Sequence, residues 1–239
     1  MNIAIIGYGK MGKIIEQIAI SRGHSIVLTI DQDNTDKFTV DELRKADVAI
    51  EFSIPESAVS NIYKCFEAGV PVVVGTTGWI DKLEEVKKNC RENNQSFFYS
   101  SNFSIGVNLF YKVNEYLAKV MNAHPEYAVE IEEIHHIHKL DSPSGTAISL
   151  ANQIIKELDE KEKWVNDSTE NKNELSIISK RLGEVPGTHT VSYRSDVDEI
   201  SLIHFARNRK GFATGAVVAA EWLIGKKGIF GMSDMLEKL

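Results

Sequence analysis

The N-terminal part of the chain alternates short apolar runs with longer segments in which apolar residues recur every three or four positions. A short apolar run predicts a buried strand, and the longer repeat predicts a helix that packs one face on a sheet. The runs begin at Asn2, Ser25, Asp47, Val70 and Ser96, with helical patterns after the first, third and fourth of them. This order predicts an α/β domain built on a doubly wound parallel sheet.

The pattern changes after a helix predicted at about 107–121. Strand patterns follow at 127–139, 175–181, 189–194 and 199–205, and the polar stretch 159–174 predicts an exposed loop. An apolar helix returns at 216–224 and has no partner in this strand-rich part. We therefore predict a first domain at 1–105 plus 213–239, interrupted by an α+β mixed-sheet domain at 106–212.

A glycine motif connects the first strand to the first helix. Gly7, Gly9 and Gly12 fit GxGxxG, in which the glycines permit a tight turn, close approach to a pyrophosphate and close packing of helix on strand. Asp31 ends the second strand, where an acid can accept hydrogen bonds from both ribose hydroxyls of an adenosine. The motif predicts a Rossmann-type dinucleotide-binding domain; the alternative is a glycine turn in another α/β protein.

Two polar loops follow later strands of the same predicted sheet. Gly75-Thr76-Thr77 ends the fourth strand, and Ser101-Asn102 follows the fifth. Ligands of open α/β sheets bind at the carboxyl ends of the strands, so the first loop is predicted to lie near the nicotinamide. The second loop could hold an amide or a hinge, or it could only cap the next helix.

Chemically active side chains are densest at 130–147. If 129–139 is one strand, alternation places His136 and His138 on one face, and His135, Ile137 and Lys139 on the other. Two alternatives stay open. The histidines could be packed or solvated residues without a function, or the His136-x-His138 pair could bind zinc, although no third ligand of fitting spacing stands out.

The same stretch ends in a helix start. Ser144, Gly145 and Thr146 precede a helical apolar pattern, and the N-terminus of a helix binds anions. Cationic side chains that lead into such a site predict a pocket for a small substrate with carboxylates.

Composition limits the choice of partners. The chain has 239 residues, 43% of them hydrophobic, and a net charge of −7, which argues against general binding to nucleic acid or to anionic membranes. Cys65 and Cys90 lack CxxC spacing and are expected to be free thiols. No apolar run reaches the length of a membrane span and no signal peptide is recognisable, so we expect a soluble cytoplasmic protein. The cluster of Arg207, Arg209 and Lys210 could cover an anion or be a solvated charge run.

Several segments together resemble the 4-hydroxy-tetrahydrodipicolinate reductase family, formerly called dihydrodipicolinate reductase. They are 7–12, 75–78, 101–108, 212–216 and, most specifically, the His-His-x-His-Lys-x-Asp-x-Pro-Ser-Gly-Thr run within 133–147. The resemblance implies a nucleotide-binding domain completed by the C-terminal segment, an inserted domain that builds a homotetramer, and a hinge. It also implies reduction by NADH or NADPH in the diaminopimelate route to lysine. We predict no metal requirement, because binding of a carboxylate and support of the groups that bind it explain His136-x-His138 better than a metal does.

The resemblance also implies roles for individual residues. His135 matches the proposed general acid and Lys139 the second catalytic cation, and which of them donates the proton stays open. His136, Lys139, Gly145 and Thr146 match the groups that hold the substrate's carboxylates, and the predicted helix start adds Ser144 to the substrate-binding set. Gly7, Met11 and Gly12 match the pyrophosphate loop, Asp31 the ribose acid, and Gly75 and Thr77 the nicotinamide contacts. The predicted loops after the first, fourth and fifth strands add Gly9, Lys10, Thr76, Ser101, Asn102 and Phe103 to the cofactor-binding set.

This chain departs from the family pattern after the third strand. Glu51-Phe52-Ser53 stands where Asp-Phe-Thr is usual, and Ile54 stands where an arginine near the adenine often follows. Asp31 favours NADH, because its carboxylate would repel a 2′-phosphate. A nucleotide-sensing regulator without catalysis is the alternative function, and it would have no need of a proton donor beside an anion site.

Overall fold

The computed structural model describes residues 1–208 and 210–237, which form two compact units. Unit 1 comprises 1–105 and 210–237, and unit 2 comprises 106–208. The strands are β1 (Asn2–Ile6), β2 (Ser25–Ile30), β3 (Val48–Glu51), β4 (Val72–Val74), β5 (Ser96–Tyr99), β6 (Ala128–His135), β7 (Lys163–Val165), β8 (Glu174–Arg181), β9 (Thr188–Arg194), β10 (Glu199–Phe205) and β11 (Gly228–Phe230). The helices are α1 (Lys10–Ser21), α2 (Val40–Leu43), α3 (Pro55–Ala68), α4 (Leu83–Glu92), α5 (Ile105–Met121), α6 (Gly145–Glu157), α7 (Lys210–Leu223) and α8 (Met232–Leu236).

Unit 1 is built on a six-stranded sheet in the order β11-β5-β4-β3-β1-β2, with every neighbouring pair parallel. The predicted α/β class with a Rossmann-type sheet is therefore confirmed. The predictions did not include β11 or α8. β11 has only three residues, which is too short a run for a periodic pattern to show.

Apolar side chains cover both faces of this sheet. On one face α3 and α4 pack over side chains such as Val72 and Phe97, and on the other α1 and α7 pack over Ile5 and Val73. α7 packs closely against the backbone at Phe103, since a Cβ on Gly215 would lie 1.7 Å from the Phe103 carbonyl oxygen. The helix predicted at 216–224 therefore belongs to unit 1, and it begins earlier, at Lys210.

Unit 2 is built on a five-stranded mixed sheet in the order β10-β9-β6-β8-β7. β6 runs antiparallel to β9 and parallel to β8. The helices α5 and α6 contribute Phe110, Leu150 and Ile154 to a core that also contains Ile131 and Val191. This arrangement confirms the predicted mixed-sheet α+β class of the second part.

One predicted loop in unit 2 contains a strand. The polar stretch 159–174 includes β7, whose Lys163 and Val165 pair with Glu174 and Ser176 of β8. β7 lies at the edge of the sheet and is held by backbone pairing, so its side chains need not follow an apolar pattern. None of the helices in the described ranges is long and apolar enough to cross a bilayer.

Candidate functional site

The loop between β1 and α1 has the close backbone packing that its glycines predict. Gly7 has φ +93° and donates its N–H to the carbonyl of Ile30 at 2.8 Å, and a Cβ here would lie 2.2 Å from the Phe52 oxygen. A Cβ on Gly12 would lie 2.4 Å from the Gly7 oxygen. Gly9 precedes α1 with open space around its Cα. Gly9 therefore leaves open space beside the start of α1, where a phosphate could approach the backbone.

A cavity of about 490 Å³ opens at this loop, within unit 1. Of the predicted cofactor residues, Gly7, Gly9 and Asp31 line it. The described lining also contains Asp33 and contains neither lysine nor arginine. The lining residues that the sequence analysis did not assign to the cofactor are Ile6, Tyr8, Ile30, Gln32, Asp33, Thr35, Phe38, Phe52, Ser53, Ile54, Ser57 and Asn61.

Asp31 is held in a tight polar turn at the end of β2. Its N–H donates to Asn34 Oδ1 at 2.8 Å, and its carboxylate accepts from the N–H of Asp33 at 3.0 Å. Asn34 in turn donates from Nδ2 to the carbonyl of Thr29 at 2.9 Å. This turn fixes the Asp31 carboxylate, and the exposed Asp33 lines the same cavity.

Glu51, at the end of β3, is fully buried beside this cavity. It accepts hydrogen bonds from Ser53 and from Asn61 Nδ2, the latter at 3.2 Å. Burial raises the pKa of Glu51, and these hydrogen bonds oppose the rise only in part. Ser53 and Asn61 line the cavity, so the departure from the family pattern at 51–53 is accommodated by a local polar network.

The loops after β4 and β5 meet at Phe52. A Cβ on Gly75 would lie 2.2 Å from the Phe52 ring, and Phe103 packs against the same ring with centroids 5.6 Å apart. Thr76 is buried, with its carbonyl accepting from Trp79 Nε1 at 2.7 Å. The predicted cofactor residues that the structure does not bring into the described cavity lining are Lys10, Met11, Gly12, Gly75, Thr76, Thr77, Ser101, Asn102 and Phe103.

In unit 2, the prediction of one strand through 129–139 is wrong, because β6 ends at His135. β9 pairs with β6 only as far as Ile134 and β8 only as far as His135, so the strand ladder ends there. The chain then turns, and the N–H of Lys139 donates to the carbonyl of His136 at 3.1 Å. Lys139 therefore does not share a strand face with His135. His136 and His138 lie beyond the strand, so they do not share a strand face with each other either.

Polar side chains surround His135, and we call this group the Glu133 cluster. Its members are the buried Glu133, His135, Ser144 and His189 and the half-buried Arg181. His135 Nε2 lies 3.3 Å from His189 Nε2 and 3.4 Å from Glu133 Oε2. Ser144 donates its N–H to both Glu133 oxygens at 3.1 Å, and its Oγ lies 3.1 Å from His189 Nε2. Arg181 reaches Glu133 Oε1 at 3.4 Å. The cluster joins β6, β8, β9 and the start of α6.

The charges in the Glu133 cluster follow from its burial and hydrogen bonds. Burial opposes ionisation of Glu133, yet hydrogen bonds from His135 and Ser144 hold its pKa well below the usual range. Burial, together with the charge of His135, lowers the pKa of His189 to about 4. At neutral pH the cluster therefore contains an ionised carboxylate and an uncharged His189.

Glu133, Arg181 and His189 are site residues with no role predicted above, although the sequence carries a signal for two of them. Glu133 alternates with Ile131 on the buried face of β6, and His189 alternates with Val191 on that of β9. A carboxylate and an imidazole on apolar faces at this period indicate buried polar partners.

The remaining predicted substrate residues lie around the start of α6. Ser144 caps the helix, its Oγ accepting from the N–H of Ala147 at 3.2 Å, and Gly145 is exposed with open space around it. Thr146 is half-buried. The start of this 13-residue helix therefore has backbone N–H groups at an accessible end.

Two of the three side chains near the start of α6 that can carry positive charge form ion pairs. The third, His136, has a buried nitrogen without a hydrogen-bond partner. Lys139 Nζ donates to both oxygens of Asp141, at 2.7 and 2.8 Å, and this lowers the pKa of Asp141. His138 is exposed and pairs with Glu184 at 3.1 Å. His136 is half-buried, and its buried Nδ1 has no hydrogen-bond partner. A substrate carboxylate at Lys139 would share the ammonium with Asp141.

The arginine-lysine cluster near 207–210 is only partly described. Arg207 is exposed and Lys210 begins α7, whereas Arg209 lies outside the described residues.

The histidine pair that suggested zinc is not the best-placed group for a metal. The atoms of Glu133, His135 and His189 lie within 4.8 Å of one another, a spacing that a metal ion could also use. However, the Arg181 guanidinium, 3.4 Å from Glu133, already compensates the carboxylate. We therefore interpret the cluster as a hydrogen-bonded network.

A parallel sheet with a glycine loop and an acid-lined cavity, in a chain whose other unit carries an acid-base cluster at a helix start, is typical of a nucleotide-dependent oxidoreductase. The family models described as dihydrodipicolinate reductase, N-terminus, and dihydrodipicolinate reductase, C-terminus, match residues 1–103 and 106–236. The chain belongs to the dihydrodipicolinate reductase family.

Curated relatives carry the corresponding enzyme name. The 4-hydroxy-tetrahydrodipicolinate reductase of Christiangramia forsetii is 48% identical over 239 residues, covering 100% of this chain and 99% of the relative. The enzyme of the same name from Archaeoglobus fulgidus is 36% identical over 263 residues, covering 99% and 100%. A solved structure, dipicolinate-bound dihydrodipicolinate reductase from Paenisporosarcina sp. TG-14, has a TM-score of 0.79 at 23% identity, covering 98% of each chain, and supports the fold.

Proposed function

We propose that unit 1 holds NADH or NADPH, and that unit 2 binds and protonates the substrate in the reaction of this reductase family. That reaction converts 4-hydroxy-tetrahydrodipicolinate to tetrahydrodipicolinate in the diaminopimelate route to lysine. Substrate, reduced cofactor and one proton give product, oxidised cofactor and one water. The observation that carries the assignment is the buried Glu133 cluster at the start of α6, in a chain that matches both reductase models.

The bound nicotinamide supplies the hydride. The loop of Gly7, Gly9 and Gly12 suits a pyrophosphate, because it leads into the start of α1 and leaves open space at Gly9. Lys10 and Met11 begin that helix. Gly75, Thr76 and Thr77, with Ser101, Asn102 and Phe103, belong to the loops proposed to contact the nicotinamide.

We propose that NADH is used at least as well as NADPH. Asp31 can accept hydrogen bonds from the ribose hydroxyls, and Asp33 adds a second carboxylate at the same edge of the cavity. A 2′-phosphate there would meet two negative charges, and the described lining offers no cation in compensation. Lys10 and Lys37, on neighbouring segments, are the side chains that could weaken this preference.

We propose that the substrate carboxylates bind at the start of α6. The N–H groups of Gly145 and Thr146 lie at the positive end of the helix, and Gly145 leaves room for a close approach. His136 contributes an imidazole whose Nδ1 lacks a protein partner. Lys139 contributes a positive charge that Asp141 keeps in place.

We propose that His135 donates the proton. Its Nε2 is buried 3.4 Å from the Glu133 carboxylate, whereas Lys139 is engaged with Asp141. After the transfer His135 is neutral, and solvent returns its proton. Lys139 then acts mainly by orienting and neutralising the substrate.

Self-association is part of the proposal. β10 forms one edge of the unit 2 sheet, and its Ile203 and Phe205 are 64% and 58% exposed. Such large apolar side chains on a sheet edge favour an interface between subunits, consistent with a homotetramer. Light scattering of the purified chain tests this; a monomer at micromolar concentration would contradict it.

The test of the proposed function separates the enzyme from a nucleotide-sensing regulator. The purified chain is mixed with NADH or NADPH and freshly generated 4-hydroxy-tetrahydrodipicolinate, and the nicotinamide absorbance is followed. The reductase oxidises the cofactor only when the substrate is present, whereas a sensor binds the nucleotide without turnover.

A further inference from the structure

We propose that Glu133 and His189 are positioning residues, which hold the Nε2 edge of His135 so that its Nδ1 edge is presented to the substrate. This inference rests on the proposed role of His135 as proton donor. It gives a role to Glu133 and His189, which are buried and contact neither substrate nor cofactor in the proposed function.

The two edges of the His135 ring have different surroundings. Nε2 lies 3.3 Å from His189 Nε2 and 3.4 Å from Glu133 Oε2. The opposite edge faces Gly187, where a Cβ would lie 2.9 Å from Cε1 and 3.3 Å from Nδ1 of His135. Any side chain at 187 would press on that edge, so the ring in this position requires glycine there.

Glu133 is suited to its role because it is itself fixed. Both of its oxygens accept from the N–H of Ser144 at 3.1 Å, and Arg181 approaches one of them at 3.4 Å. The carboxylate therefore cannot rotate away from His135 without losing these contacts. A fixed anion beside Nε2 favours a proton on that nitrogen and stabilises the ring while it is positively charged.

His189 is suited to its role because it is uncharged. It covers the Nε2 edge, and a second imidazolium at 3.3 Å would repel a protonated His135. The burial that lowers the pKa of His189 to about 4 keeps it neutral in the working range. Its Nε2 is also 3.1 Å from Ser144 Oγ, which connects the ring to the helix that binds the substrate carboxylates.

The proton balance follows from this arrangement. His135 starts with protons on both nitrogens, transfers the Nδ1 proton to the substrate, and keeps the Nε2 proton next to Glu133. Solvent then restores the Nδ1 proton, so Glu133 stays ionised throughout. The titratable and charged groups around this step are Glu133 on β6, Arg181 on β8, His189 on β9, His204 on β10 and Lys139 after β6.

The main test is Glu133→Gln, which keeps the shape and one acceptor oxygen but removes the charge. We expect kcat to fall about tenfold or more, and the alkaline limb of its pH profile to move toward lower pH, because the variant lacks the anion that stabilises the positively charged donor. KM for the substrate should stay within about twofold, since the carboxylate contacts at α6 remain. A merely structural residue would change thermal stability and leave the limb in place.

Glu132→Gln is the matched control. Glu132 precedes Glu133 on β6, is half-buried, and pairs with Lys180 at 2.5 Å on the other face of the strand. Its variant removes the same charge one residue away, and the pH profile should be unchanged. A profile that moves equally in both variants would overturn the proposal, because it would show a general effect of net charge.

A second readout needs no variant of Glu133. Nitrogen NMR of histidine-labelled protein, assigned with His135→Gln, reports which ring nitrogen keeps its proton as the pH is raised. The proposal expects Nε2 to keep it, and retention at Nδ1 would overturn it. If His135→Gln keeps normal kcat, the proposed donor itself is wrong; if it loses kcat while Glu133→Gln keeps the wild-type profile, only the present inference fails.

Discussion

Replacing His135 with Gln should remove the proton donor while preserving its surroundings. Glu133 would keep its hydrogen bonds from Ser144 at 3.1 Å and its contact with Arg181 at 3.4 Å, so no buried charge would be left without a partner. Glutamine fills similar space and offers polar atoms, but it has no transferable proton. The variant is therefore expected to fold.

The magnitude follows from the burial of the site. General acid catalysis contributes about 10²–10⁴-fold. His135 is only 8% exposed, so water can replace it only partly, and we expect kcat to fall at least about 10²-fold. That loss is about 3 kcal/mol of activation free energy. KM for the substrate should change little, because proton delivery matters only as charge develops in the transition state.

Lys139→Met is the companion variant. It removes the ammonium that both Asp141 oxygens contact, and leaves an exposed carboxylate near the proposed anion site. We expect kcat to fall and KM to rise together, each measured from steady-state cofactor oxidation. If His135→Gln had nearly normal kcat while Lys139→Met lost it, the proton would have to come from Lys139 or from a water that it holds.

Four further outcomes are expected. NADH should give kcat/KM at least equal to that of NADPH, and a strong NADPH preference would show that Asp31 does not contact the ribose. Chelator should leave activity unchanged; loss restored by zinc would instead assign a metal to unit 2. Thr146→Val should raise KM about tenfold with a smaller loss of kcat, and the reverse pattern in steady-state kinetics would contradict a binding role. The unfolding free energy should fall by about 3 kcal/mol as the pH drops from 6.5 to about 4, because His189 binds a proton in the unfolded chain but not in the buried site. Urea unfolding measured across this pH range tests this, and His189→Gln should lack this part of the pH dependence.

Much of the fold could be predicted because apolar periodicity and glycine placement reflect local physics. The strands that begin at Asn2 and Ser25, and the turn at Gly7, follow directly from such patterns. β7 and β11 could not be predicted in this way. They have three residues each, and their backbone partners are supplied by β8 and β5, which no local pattern reveals.

The site was predicted less completely than the fold. The end of a strand depends on where its neighbouring strands stop pairing, and a local sequence pattern does not show that. Nothing in the sequence of 129–139 shows that β8 and β9 stop pairing at His135 and Ile134. The positions of Lys139 and His138 therefore came out wrong. His189 reaches His135 only through sheet pairing between residues distant in the chain, whereas the start of α6 at Ser144 was visible from its local capping pattern.

The most direct test of the account is turnover by the purified chain with freshly generated 4-hydroxy-tetrahydrodipicolinate and NADH, with His135→Gln measured beside it. The account predicts cofactor oxidation that depends on the substrate and falls at least about 10²-fold in the variant. Binding of NADH without oxidation, under conditions in which a relative from the same family turns over, would contradict it.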